Sequence, residues 1–266
     1  MIEMRAKFAS FCVYKNRSGC VGRIDVGDKI VWERDVGAWH EQCGPTSLDL
    51  VTPDECVFCS IIAGTTPATW VISPDSTRSV VCFKNRLKWA SVMLLVVPVR
   101  HMSQTDFWST NQLLDATRLA VEMGEKYCGP DGFRVVSNFG RVAGQSQFHA
   151  HLHVISGSKS PIRTARQKSQ FVKTVYLDSA AVDELEVTEQ PFLIQISSTA
   201  LQDQRRFWSS TTILAASKTG LAFSQKLTPI GFRLLASFAP IHNPDLPDSD
   251  ATGLFLLGGG ELDNYV

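Results

Sequence analysis

The stretch Gln145-Ser-Gln-Phe-His-Ala-His-Leu-His-Val154 decides how this chain is read. His149, His151 and His153 stand at alternate positions, and Phe148, Ala150, Leu152 and Val154 fill the places between and after them. A β-strand has a side-chain period of two. The run therefore predicts a strand over Phe148 to Ile155, with three imidazoles on one face and the apolar set on the other. Half of the chain's six histidines fall within these five residues. A solvated polar face has no need of that concentration, whereas a functional site does.

Working outward, Gly144-Gln-Ser146 forms a turn just before the run, and Gly132-Phe-Arg-Val-Val-Ser-Asn138 precedes it with strand composition over Phe133 to Ser137. Further upstream, Ser79-Val-Val-Cys-Phe83 and Val92 to Pro98 read as strands, the second followed by Arg100-His101. Thr110 to Tyr127 reads as a helix: Leu113, Leu114, Ala120, Val121 and Met123 make an apolar stripe, and Gly129-Pro130 stops it. Cys56-Val-Phe-Cys59-Ser-Ile-Ile-Ala-Gly64 opens the segment. The order of elements predicts an α+β fold built on an antiparallel meander sheet with helices.

These motifs, in this order over about residues 54–157, resemble the histidine triad (HIT) family of nucleotide hydrolases and transferases, in its bacterial zinc-containing form. The resemblance implies a nucleotide hydrolase that cleaves a bond to the α-phosphate of a purine nucleotide. Candidate substrates are a phosphoramidate, an adenylylated amine or a dinucleoside polyphosphate. It makes His151 the nucleophile, since a neutral imidazole is a competent nucleophile near pH 7. It makes His153 a donor to a phosphate oxygen, and assigns Ser146 and the amides of Gly144, Gln145 and Ser146 to the developing charge and leaving group. Asn138 would reach the phosphates and Asn85 the ribose. Cys56, Cys59, His101 and His149 would hold a structural zinc, two thiolates and two imidazoles closing a tetrahedral site. A third histidine favours hydrolysis over the transferase branch, where glutamine usually stands. Two positions depart from the family: Met93 replaces a histidine before the proline-ended strand, and Asn85 replaces an acidic residue.

Residues 1–53 read as a separate small module. Cys12, Cys20, His40 and Cys43 resemble the ligand set of a small treble-clef-like zinc finger, and a segment this short benefits from a metal staple. The departure is the seven residues between Cys12 and Cys20, where about two to four are usual. A metal-free hairpin cap is the alternative. One or two structural zincs per chain are expected.

Residues 158–266 repeat the preceding segment at an offset near one hundred. Phe207-Trp208-Ser209 echoes Phe107-Trp108-Ser109, and Gly231-Phe-Arg-Leu-Leu-Ala-Ser237 echoes Gly132-Phe-Arg-Val-Val-Ser-Asn138. Gly253-Leu-Phe-Leu-Leu-Gly-Gly259 echoes His151-Leu-His-Val-Ile-Ser-Gly157, with Ala251, Gly253 and Phe255 at the histidine positions. This predicts a second, degenerate HIT-like copy and an intrachain pseudo-dimer. Lys159 to Lys173 carries five basic residues and no acidic one, and reads as an exposed linker. The expected division is therefore 1–53, 54–157 and 158–266.

Composition narrows the classes. At 266 residues, with 44% hydrophobic and 20% charged residues, the chain is of globular type. No apolar run has transmembrane length and the start lacks a signal-peptide core, so no membrane partner and a cytoplasmic location are expected. Seven cysteines then read as metal ligands and buried thiols. Formal net charge is zero, and Met1 to Gly44 carries seven basic and six acidic residues, which argues against strong nucleic-acid binding. Two other functions stay open beside hydrolysis: a non-catalytic nucleotide-binding adaptor, and a DNA-adenylate hydrolase in end repair.

Overall fold

The computed structural model describes residues 2–12, 22–33, 37–40, 53, 56–157, 171–178, 185–187, 189–228, 231–240, 252–259 and 262. The N-terminal segment holds β1 (Ile2–Arg5), β2 (Ser10–Phe11), β3 (Arg23–Ile24), β4 (Lys29–Glu33) and β5 (Gly37–His40). β1, β4 and β5 form an antiparallel sheet, and β2 pairs with β3. Its small core gathers Ala6, Cys12, Ile24, Ile30, Val31 and Trp39.

Residues 56–157 supply α1 (Val57–Ile62), β6 (Trp70–Ile72), β7 (Val80–Lys84), β8 (Met93–Pro98), α2 (Gln104–Ser109), α3 (Gln112–Cys128), β9 (Phe133–Phe139) and β10 (Leu152–Ser156). Ser103 caps α2 by accepting the Asp106 N–H at 3.1 Å. Gly129 ends α3. The remainder supplies β11 (Phe171–Tyr176), β12 (Phe192–Ser197), α4 (Gln204–Ser209), α5 (Thr212–Leu227), β13 (Phe232–Phe238) and β14 (Leu254–Gly258). No helix among the described residues is long and apolar enough to cross a membrane.

Nine of these strands make one sheet in the order β11-β12-β14-β13-β9-β10-β8-β7-β6. Alternation along the strands gives it two apolar faces. One is covered by α2 to α5 and is built on Leu94, Val96, Val135, Val154, Ile194, Leu234 and Leu256. The other carries Val136, Ile155, Leu235 and Leu257 at its middle, and Val81, Leu95 and Val97 under α1.

The two halves match in register. His153 lies between Leu95 and Val136, and Phe255 between Gln195 and Leu235. Gln104 brackets the backbone of His151, accepting its N–H at 2.9 Å and donating to its carbonyl at 2.9 Å. Gln204 does the same to Gly253, at 2.6 and 2.9 Å. The central pairing is β9 against β13, where Phe133 stacks on Phe238 and Phe139 on Phe232, with centroids 4.4 and 4.2 Å apart. Trp108 and Trp208 meet edge to face beneath it, 6.3 Å apart. The match ends at the flank, where β11 runs parallel to β12 while β7 runs antiparallel to β8.

Several expectations need correction. The sheet is not a meander in chain order, because β10 returns into the slot between β8 and β9. The histidine strand begins at Leu152, so His149, in a bend, and His151 precede it, and the backbone bonds there go to α2 and its lead-in: the Ala150 N–H reaches the Met102 carbonyl at 2.9 Å. The long helix runs from Gln112 to Cys128, two residues later than predicted at its start, because Ser109 and Thr110 end α2 first. Lys173 lies inside β11, where Phe171 to Tyr176 pair with β12, and not in a linker.

Candidate active site and metal centre

The histidine run enters the molecule between α1, α2 and the sheet, and each ring finds a different neighbour. His149 is buried. Its Nε2 lies 2.8 Å from the carbonyl of Pro98, the last residue of β8. That bond takes the ring proton on Nε2 and leaves Nδ1 as a bare acceptor. Nδ1 faces the sulfurs of Cys56 and Cys59, at 3.4 and 3.5 Å. His101, just after β8, places its Nδ1 3.2 Å from Cys59 Sγ. The four donor atoms lie within 4.8 Å of one another. The geometry arises simply: Cys56 precedes α1 and Cys59 lies in its first turn, so one turn of helix brings both sulfurs to one side.

This donor set suits a tetrahedral zinc. Metal–sulfur and metal–nitrogen bonds of ordinary length put a thiolate and an imidazole nitrogen roughly 3.6 Å apart around the ion; the three sulfur–nitrogen distances above are 3.2 to 3.5 Å. Burial pushes His149 down to about 4, with His101 and His151 adding to the effect and the Pro98 carbonyl opposing it. The ring is therefore neutral at physiological pH, the form a metal requires.

His151 is also buried, and its Nδ1 lies 2.9 Å from the carbonyl of His149. The proton is held on Nδ1, and Nε2 is left with its lone pair. Burial lowers its pKa, against that backbone bond. Its backbone is fixed by the Gln104 bracket and by Ser137, which donates to its carbonyl at 3.3 Å. Trp108 in turn donates to Ser137 at 2.9 Å. The Phe58 ring of α1 meets the His151 ring edge to face at 5.4 Å. His153, half-buried on β10, lies 4.8 Å from the His151 ring. Its pKa falls well below the ordinary value through burial, with His151 and Arg233 contributing.

The remaining candidates are placed as follows. Gly144 and Ser146 are exposed on the turn between β9 and β10. Gln145 is buried: its side chain accepts the Gly140 N–H at 2.8 Å and donates to the Gln147 carbonyl at 3.0 Å, so it braces the turn. Asn138 stands on β9 on the same face as Val136, and its buried Oδ1 has no hydrogen-bond partner among the described residues. Asn85 follows β7, and its side-chain oxygen accepts the Leu87 N–H at 3.1 Å. In the N-terminal segment Cys12 is buried, and His40 on β5 has Nε2 3.5 Å from Asp28 Oδ2. Cys20 and Cys43 lie outside the described residues, as does Ala251 in the second half.

Three contributors were not anticipated from sequence: Gln104, Phe58 and Arg233. Gln104 had a readable signal, since Gln204 repeats it at the same offset as the neighbouring tryptophans.

Two buried imidazoles and a third half-buried, beside an exposed turn and a Cys2His2 cluster, make a histidine-based candidate site. The comparisons give the family. The HIT domain matches residues 65–160. An uncharacterized HIT-like protein of Methanocaldococcus jannaschii is 35% identical over 103 residues, 38% of this chain and 77% of that protein. Protein HitA of Neisseria gonorrhoeae is 33% identical over 105 residues, 38% of this chain and 95% of that protein. A solved HIT family hydrolase from Clostridium thermocellum is 29% identical, covering 41% of this chain and 95% of that one, with a TM-score of 0.36. The chain belongs to the HIT family.

Proposed function

We propose that this chain hydrolyses a bond to the α-phosphate of a purine nucleotide through a nucleotidyl-histidine intermediate on His151. The observation that carries this reading is the tautomer of that ring. With Nδ1–H given to the His149 carbonyl at 2.9 Å and burial disfavouring the cation, Nε2 is a neutral nucleophile. In the first step Nε2 bonds to the α-phosphorus as the bond to the leaving group breaks. The leaving group takes a proton from solvent water relayed by the Ser146 hydroxyl, and the water that attacks in the second step returns that proton to solvent. In the second step water attacks the same phosphorus, the phosphorus–nitrogen bond breaks, and the nucleoside monophosphate leaves. His153, Asn138 and the amides of the Gly144–Ser146 turn would hold the non-bridging oxygens.

Cys56, Cys59, His101 and His149 are the residues that would hold zinc. A metal there would be structural, tying the start of α1 to the base of the histidine run. Cys12, Cys20, His40 and Cys43 are proposed as a second site. The matched registers and the paired glutamine brackets support residues 158–266 as a degenerate second copy, docked on the first as an intrachain pseudo-dimer. A nucleotide-binding role with slow turnover draws support from Asn85, whose side-chain oxygen is engaged by its own turn.

Hydrolysis of adenosine 5′-phosphoramidate tests the reading. His151→Ala should lower turnover about a thousandfold or more, and rapid quenching of the wild type should leave a nucleotidyl mass on His151. Tight binding with no turnover and no adduct would favour the binding role.

A further inference from the structure

We propose that Arg233, on β13, is a positioning residue for the site on the other half of the chain: it holds the turn that carries Gly144 and Ser146. The inference rests on the functional reading above.

Arg233 is buried and stands opposite Asn138 across the central strand pair. Its Nε and Nη2 both donate to the Ala143 carbonyl, at 3.1 and 3.0 Å, and its Nη1 donates to the Leu262 carbonyl at 2.6 Å. Ala143 immediately precedes Gly144, so a forked pair of bonds fixes the near end of the turn whose amides would meet the phosphate. Gln145 fixes the same turn from within. The chain approaches this segment closely just before β13. A Cβ built on Gly231 would come within 2.2 Å of Val142 Cγ2 and 2.9 Å of the Phe139 carbonyl. The Arg233 charge also acts to lower the pKa of His153. A buried guanidinium is costly unless its donors are satisfied, and the acceptors satisfying it include the backbone of this turn.

Arg134 is the internal control. It occupies the matching place on β9, opposite Ser237, and is buried to a similar degree. Its Nη1 donates to the Gly157 carbonyl at 3.4 Å and its guanidinium lies 5.3 Å from the Trp89 ring, both in the first half. Of two arginines related by the repeat, one braces the phosphate-facing turn.

The experiment uses the full chain as Arg233→Met, Arg233→Lys and Arg134→Met, with adenosine 5′-phosphoramidate as the probe. Hydrogen exchange at residues 140–146 is followed in parallel. Both methionine variants should lose thermal stability to a similar extent. Arg233→Met should lower kcat about 10- to 100-fold with KM changed less than about threefold, because misplacement of a preorganised group acts on the reacting state. Arg233→Lys, which cannot form the fork, should recover part of the loss. Arg134→Met should keep kcat within about twofold. Exchange at 140–146 should quicken in Arg233→Met and not in Arg134→Met. Wild-type kcat in folded Arg233→Met, or an equal loss in both methionine variants, overturns the proposal. If Arg233→Met does not fold, unchanged kcat in Arg233→Lys overturns it. If the wild type turns over no nucleotide, the functional reading fails instead; faster exchange in the Arg233 variants then still supports the brace, and unchanged exchange overturns it.

Discussion

Placing a histidine at Gly253, which the sequence repeat aligns with His151, should damage the protein rather than create a second site. Gly253 has a backbone φ of +146°, and a Cβ built there would lie 2.3 Å from the Ile196 carbonyl oxygen. That oxygen belongs to β12, inside the nine-stranded sheet, and cannot retreat without breaking its pairing with β14. The Gly253 backbone cannot retreat either, because Gln204 holds both its N–H and its carbonyl. Disfavoured φ costs about 1–3 kcal/mol, and overpacking against a fixed neighbour about 1–3 kcal/mol more. Gly253→Ala, which adds the Cβ alone, should therefore lose about 4 kcal/mol, or roughly 8–16 °C in Tm for a chain of this size. Scanning calorimetry measures the loss. Gly253→His should be at least as unstable, and its burst of released leaving group should stay at about one per chain. A Gly253→Ala protein within about 0.5 kcal/mol of wild type, or a doubled burst in Gly253→His, would refute this reasoning.

Gln104→Leu strips two partners from the buried backbone of His151 and should cost about 2–4 kcal/mol, with kcat lowered roughly tenfold or more; steady-state kinetics on folded variant decides whether the bracket matters to turnover. Cys59→Ser should remove one zinc per chain, read by metal analysis of the native protein, and should make Tm insensitive to chelators at that site. In metal-stripped protein, neutral His149 contributes stability that is complete above its ordinary pKa of 6.5 and is lost as pH falls from there through about 4. The size is about 3 kcal/mol. Denaturant titrations across that window should show the fall, and His149→Asn should flatten it.

Much of this was legible in the residues. The alternation at His149, His151 and His153 singled out a run of which only His153 lies in a strand, and the spacing of Cys56 and Cys59 proved compatible with one helical turn meeting two histidines. The offset repeat directed attention to the second half, where β13 and β14 pair in a register like that of β9 and β10. What the sequence hid was relational. Alternation cannot say where pairing begins, so His149 and His151 fell within a predicted strand that starts only at Leu152. A sheet order is not a chain order, so the insertion of β10 between β8 and β9 had no local signal. Arg233 had no local signal either; its meaning depends on the Ala143 carbonyl, ninety residues away.

The pairing of β9 with β13 joins the halves within one polypeptide. Two-fold partners held by mass action come apart on dilution. Here β9 and β13 belong to one chain, so residues 56–157 keep that neighbour at any protein concentration. The tether also frees each side to change alone, because a mutation on one flank is not copied onto the other. An assembly of identical subunits lacks that freedom, and here the two flanks differ: β11 runs parallel to β12 while β7 runs antiparallel to β8.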